Sequence, residues 1–188
     1  PNQIQIMYGI RGQRRLTEWT VPWLEGYEKS SPVRIGNAAH SQLQLDIFGE
    51  VMDALHQARS GGLGHDDGGW ALERALLDHL EQIWTQPDEG IWEVRGGRRH
   101  FLFSRVMCWV ALDRAIRLSE ERALPGRTAG GVRDRNAIYL AIQENFWNEQ
   151  LQSYVQYRKA DTIDASCLWL PLWGVIGDQV PERQSQSR

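Results

Sequence analysis

Apolar residues recur at helical spacing through most of the chain, and strand signals are weak after residue 10. The pattern predicts five helices, near residues 38–59, 69–85, 101–122, 131–147 and 162–176. They are of two kinds. In the segment 69–85, Leu72, Leu76, Leu80 and Ile83 form a stripe opposite Glu73, Arg74, Asp78 and Glu81. The segment 131–147 is similar, with Ile138, Ile142 and Phe146 set against Arg133, Asp134, Arg135 and Glu144. In "FLFSRVMCWVAL" and "ASCLWLPLWGVI" the apolar residues run almost all the way round, which predicts burial on every side. The helix at 38–59 opens the same way, with Leu43, Leu45, Ile47, Phe48, Val51, Met52 and Leu55. Pro171 is expected to kink the last helix or end it early.

Buried and half-buried helices thus alternate, with a pair taking roughly 60 residues, a period of the kind repeat architectures show. Short glycine-rich connectors, "SGGLGHDDGG" and "ALPGRTAGG", lead from buried to half-buried helices. The connectors running the other way are longer: residues 1–37, 86–100 and 148–161. Connectors of one kind emerge at one end of such an array, so the long ones should gather there. This fits an all-α toroid of inner and outer helices, of which the chain supplies about half a ring. An α-solenoid and a compact five-helix bundle are the alternatives. The chain reads as one segment: a long loop over 1–37, a helical array over 38–176 and a polar tail over 177–188.

Nine tryptophans in 188 residues suit either large helical cores or surfaces on which sugar rings stack. A net charge of -3 with interspersed signs gives no footprint for nucleic acid or membrane. The longest uncharged apolar run, Ala165 to Gly177, is too short to span a bilayer. Cys108 and Cys167 lie in apolar runs without paired spacing, which favours free thiols and a cytoplasmic setting. The chain starts at Pro1 and ends in "GDQVPERQSQSR", as a segment of a longer protein would.

The stretch "PDEGIWEVRGGRRHF" places Glu93 between Trp92 and a basic turn, on a long connector. Glycoside cleavage needs a carboxylic acid to protonate the leaving oxygen and a second carboxylate across the sugar. Packing against Trp92 would favour the protonated form, whereas Arg95, Arg98 and Arg99 oppose it unless they face elsewhere. A solvated loop glutamate is the alternative. The first loop offers Trp19, Trp23, Tyr27, Arg34 and Asn37, flat rings and hydrogen-bonding groups suited to a hydroxyl-rich ligand, or simply to covering helix ends. "GGLGHDDGG" lacks a preceding strand and the lysine and hydroxyl of a phosphate loop, so it reads as a turn with Asp67 capping the next helix. The five histidines show no metal-ligand spacing. Cys108, mid-helix and apolar, is a poor candidate nucleophile.

"MYGIRGQRRLTEW", "GYEKSSPVRIGNAAHSQLQLDIFGEV", "DEGIWEVRGGRRHF" and "SRVMCWVALDRA" closely resemble the catalytic domain of glycoside hydrolase family 15, the glucoamylase family, and within it the bacterial glucoamylase-like and trehalase branch. The resemblance runs from about residue 6 to about residue 176. It implies an (α/α)6 barrel and inverting hydrolysis of α-glucosidic bonds without metal or cofactor. It also implies Glu93 as general acid, with Trp92 before it expected to help hold the terminal glucose. Arg34 and Asn37 match a loop beside the glucose site, and Trp23, Tyr27 and Arg95 are expected to contact substrate.

Two positions depart from the fungal pattern: Val94 stands where a second acid follows the catalytic one, and Gly90 where an aspartate precedes it. Both suit the bacterial branch. The family's general base and its Arg-Asp sugar clamp fall outside the chain. The expected activity is that of a glucoamylase-like α-glucosidase, with α,α-trehalase as the alternative. A non-catalytic helical module binding sugar or a protein partner is the alternative of another class. The expected partner is a disaccharide or oligosaccharide α-glucoside. An open half-ring would also leave inner-helix surface such as "CLWLPLWGVI" uncovered, so self-association is expected.

Overall fold

The computed structural model describes residues 4–62, 64, 67–122 and 128–175. The side chain of Asp67, with its expected capping role, lies outside the described residues, as does the polar tail. Four α-helices carry the fold: α1 (Asp46–Ser60), α2 (Asp67–Ile83), α3 (Leu102–Arg122) and α4 (Thr128–Phe146). Two minimal antiparallel pairs accompany them, β1 (Trp19–Thr20) with β2 (Arg34–Ile35), and β3 (Trp147–Asn148) with β4 (Ser153–Tyr154).

The hub is α3. It contains neither glycine nor proline, and its residues from Leu102 to Ile116 are all buried. The predicted burial on every side holds here. Helix α1 packs along α3, α4 packs on α3 from another side, and α2 lies across both α1 and α3. Gly49 lets α1 lie tightly on α3, since a Cβ there would stand 2.3 Å from the Met107 carbonyl oxygen. Asp113 on α3 binds Arg114 and Arg117 of its own helix and Arg135 of α4, while Arg114 also reaches Asp53 of α1. Inner helices α1 and α3 with outer α2 and α4 give the all-α alternation expected of part of an (α/α)6 barrel.

Three sequence expectations need correction. The predicted helix at 38–59 is broken: a 3-10 turn covers Ala38–Ser41, and α1 starts only at Asp46. Residues between them give their backbone groups to the 86–101 loop instead. Leu43 N donates to Glu89 Oε2 at 2.8 Å, and Leu45 N to Asp88 Oδ2 at 3.0 Å. In α2 the buried stripe is Trp70, Glu73, Leu77 and Leu80 with Leu76, whereas Leu72 is 62% exposed. Glu73, expected outside, is 1% exposed because Arg59 of α1 reaches in to pair with it. The last helix shrinks to a 3-10 turn over Ala165–Trp169, capped by Asp164 and stopping ahead of Pro171, which has no N–H to extend the ladder. Leu168 and Leu172 there are 75% and 73% exposed, so burial on every side fails for this segment.

Candidate active site

Residues 86–101 leave α2 and return to α3 as a pinched loop. At its neck Asp88 N donates to Arg99 O at 2.9 Å and Arg99 N to Asp88 O at 2.8 Å. The Asp88 carboxylate is fully buried and accepts from Leu45 N and, at 2.6 Å, from Ser104 Oγ on α3. One acidic side chain therefore anchors the loop to both inner helices. Burial pushes the Asp88 carboxyl upward. It raises neighbouring Asp46 to about 7, with the charges of Asp88 and Glu50 adding to the effect. The far side of the loop is bonded to the third long connector through Leu102 N to Gln156 O at 2.9 Å and Arg158 N to His100 O at 3.0 Å.

The loop tip turns at Gly90–Glu93, closed by Glu93 N donating to Gly90 O at 3.2 Å. Gly90 sits at φ 71°, and a Cβ there would meet the Phe101 ring at 2.7 Å. The space an aspartate would need is thus filled by Phe101. Glu93 itself is held at φ 52°, a left-handed conformation costing a non-glycine residue on the order of 1 kcal/mol. Its half-buried carboxylate accepts a hydrogen bond at Oε2 from Asn37 Nδ2 at 3.2 Å. Oε1 accepts none among the described residues. Asn37 is fixed in turn, because its Oδ1 caps the Ala38–Ser41 turn by accepting from Ala39 N at 2.9 Å.

A second carboxylate organises the surroundings. Glu18, just before β1, accepts both terminal nitrogens of Arg95, at 2.9 Å and 2.6 Å, and pairs with Arg34 Nε at 3.2 Å. It also accepts from Ala38 N at 3.1 Å. Hydrogen bonding to Arg95, helped by the Ala38 N–H and the charge of Arg34, holds the Glu18 carboxyl down at about 2. Gly36, at φ 84°, makes this meeting possible, since a Cβ there would lie 2.0 Å from the Thr17 carbonyl oxygen. The other arginines of the turn are occupied elsewhere. Arg98 donates to Glu89 at 3.0 Å, and Arg99 stacks over Tyr157 with 4.3 Å to the ring centroid.

The structure therefore joins Glu93 and Asn37 directly, and Arg34 and Arg95 through Glu18. Trp92 is exposed, and Asp164 orients its indole by accepting from Nε1 at 2.8 Å. Trp23 and Tyr27 are 72% and 83% exposed, and no hydrogen bond or ring contact among the described residues joins either to Glu93. Trp23 instead lines an open cleft with Pro22, Leu24, Glu25, Lys29 and Ser31. The three long connectors do meet at one end, as expected. Burial pushes the Cys108 thiol up to about 12, which leaves it inert at neutral pH. No cluster of metal-ligating side chains occurs among the described residues, and none of their helices is long and apolar enough to cross a membrane.

Sequence reasoning missed Glu18, Asp88 and Asp164. Glu18 lies 75 positions before Glu93 in an ordinary polar setting, and only its place beside Trp19 in "LTEW" hints at a site. The arrangement presents a carboxyl with one oxygen oriented by Asn37 and the other without a hydrogen bond among the described residues, with Arg95 and the Trp92 indole on the same turn.

The family model for glycosyl hydrolases family 15 matches residues 1–188. A trehalase of Mycolicibacterium smegmatis is 43% identical over 117 residues, covering 62% of this chain and 18% of that protein. A trehalase of Thermoplasma acidophilum is 33% identical over 177 residues, 93% of this chain and 30% of that protein. The protein named trehalase 2 of Sulfolobus acidocaldarius is 36% identical over 172 residues, 90% of this chain and 30% of that protein. The chain thus spans less than a third of the length of these curated relatives. No solved structure matches it significantly.

Proposed function

The chain belongs to glycosyl hydrolases family 15, and from that premise we propose that it carries the acid half of an inverting hydrolase of α-glucosidic bonds, with trehalose as substrate. The observation that carries this reading is the Glu93 carboxyl: held at a strained turn, oriented through Oε2 by Asn37, and with no hydrogen bond at Oε1 among the described residues. In the reaction Glu93 gives its proton to the glycosidic oxygen. A carboxylate on the opposite face takes a proton from water, which attacks C1 and inverts it. That base lies outside the residues of this chain, in keeping with its coverage of about 30% of the Thermoplasma relative. Arg34, Arg95 and Trp92 hold the sugar at the rim, and Trp23 and Tyr27 extend the binding surface along the first loop. Trehalose is preferred over maltose or longer glucans, the glucoamylase-type alternative, because the relatives compared are named trehalases. Two unpaired thiols suit a cytoplasmic protein.

The test uses the chain alone and the protein extended at both ends over the length of its relatives. The extended protein should split trehalose with inversion, releasing one β-glucose and one α-glucose, distinguishable by proton NMR of the anomeric signals. Glu93→Gln should lower turnover by about 10²–10⁴-fold. The chain alone should not hydrolyse trehalose or maltose. Hydrolysis by the chain alone that disappears in Glu93→Gln would refute the placement of the base. Undiminished turnover by the extended Glu93→Gln variant would refute the acid, and faster hydrolysis of maltose than of trehalose would favour the glucoamylase-type alternative.

A further inference from the structure

We propose that Glu18 is a positioning residue for the acid: it withholds the Arg95 and Arg34 guanidinium groups from the Glu93 carboxyl, so that Glu93 keeps its proton at the pH of the reaction. The proposal rests on the reading of Glu93 as general acid.

The need for such a group follows from the turn itself. Glu93 is followed within six residues by Arg95, Arg98 and Arg99. A guanidinium against a carboxylate favours its ionised form, shifting titration by about 1–3 pH units. An acid that must donate a proton cannot work well beside three unoccupied arginines. The structure finds each of them a different partner. Arg98 goes to Glu89 and Arg99 to the Tyr157 ring. Arg95 is the one nearest in sequence, and its hydrogen bonding to Glu18, well ahead of the charge of Glu93, is what most favours its charged form. Glu18 takes it in a two-pronged grip, the geometry that best immobilises a guanidinium. The same carboxylate holds Arg34 Nε.

The polar groups on the segments flanking Glu93 have partners of their own. Asn37 from the first loop is neutral and donates to Oε2. His40 on the adjoining 3-10 turn has Nδ1 2.9 Å from the Asn37 carbonyl oxygen. Asp164, the cap of the Ala165–Trp169 turn, is engaged by the Trp92 indole, Gln156 and Ser166. Glu18 is thus the group whose removal releases the guanidinium nearest to Glu93 in sequence. Through Ala38 N it also fixes the turn that carries Asn37, so one side chain sets both the charge and the orientation at the acid.

The experiment is the pH profile of kcat/KM for trehalose in the extended protein, whose basic limb reports the essential acid of the free enzyme. In Glu18→Gln the freed guanidinium can swing to Glu93, so the basic limb should move down by about one pH unit. The loss should be about tenfold per unit on the alkaline side, over and above any uniform fall in the plateau. Adding Arg95→Gln to Glu18→Gln should return the limb toward its wild-type position, whatever happens to its height. A limb that stays in place in Glu18→Gln, or that the second substitution does not restore, would overturn the proposal. If Glu18→Gln does not fold, Arg95→Gln alone decides. Glu18 already occupies that guanidinium, so the limb should stay within about half a unit, and a rise of about a full unit would show Arg95 acting on Glu93 in the native enzyme and overturn it. Glu93→Gln in the same assay separates the two claims. Full activity there defeats the acid assignment and this proposal together, whereas lost activity with an unmoved Glu18→Gln limb defeats this proposal alone.

Discussion

Asp46 allows a sharp test of how the fold treats buried charge. Its side chain enters α1 beneath the Glu93 loop, close to buried Asp88, and burial first and neighbouring carboxylates second raise it from 3.8 to about 7. In the unfolded chain it would titrate near 3.9. Between those values the native state keeps a proton that the unfolded state has released, so stability falls as pH rises through that window. Below about pH 4 both states are protonated and nothing is lost. Above about pH 7 the loss is complete. A gap of about 3 units at 1.36 kcal/mol each sets an upper limit of about 4 kcal/mol, of which roughly 2 kcal/mol develops between about pH 5 and about pH 7.5. Asp46→Asn abolishes this titration. Urea unfolding followed by tryptophan fluorescence should therefore show Asp46→Asn gaining about 2 kcal/mol relative to wild type across that interval. Asp88 and Glu50, shifted in the same direction, titrate in both proteins and largely cancel in the difference. An equal separation of the two unfolding curves at both pH values would refute the reasoning.

Other substitutions probe the packing. Arg59→Ala leaves the buried Glu73 carboxyl without its partner, so it should cost about 3 kcal/mol in the same unfolding assay, while Arg59→Met with Glu73→Leu should cost under about 1 kcal/mol. Gly49→Ala forces a methyl against the Met107 backbone and should cost about 2 kcal/mol or more, read as a lowered thermal midpoint. The exposed Leu168 and Leu172, beside the stacked Trp169 and Trp173, should drive self-association of the isolated chain, and lysine at both positions should shift its sedimentation toward monomer. A monomeric wild-type profile would count against an open half-ring.

Helix number and kind are largely written in local pattern. The run from Leu102 to Arg122 is apolar on all sides and free of helix breakers, so it forms a helix wherever a core surrounds it, and it became the hub. Ile138, Ile142 and Phe146 recur at a spacing that commits one face of α4 inward, and all three are buried. The gathering of long connectors at one end followed from alternation alone. Glu93 was legible as a candidate because an acid beside tryptophan on such a connector is chemically unusual.

What sequence could not decide are the outcomes of competition between partners far apart in the chain. The break between Ser41 and Asp46 exists because Asp88 and Glu89, more than 40 positions away, supply acceptors that the helix ladder would otherwise provide. Glu73 is inside because Arg59 meets it there, and a charge pattern on one helix carries no trace of a cation on another. Glu18 is the strongest case. Its meaning comes from bringing three segments within hydrogen-bond reach, near Glu18, near Arg34 to Ala38, and at Arg95. Electrostatic and hydrogen-bond energies depend on distance in space, which local periodicity does not encode. The sequence by itself determined α2, α3 and α4, the alternation and a suspect acid; only the tertiary structure decided where the first and last predicted helices stop and which partners the charges around that acid take.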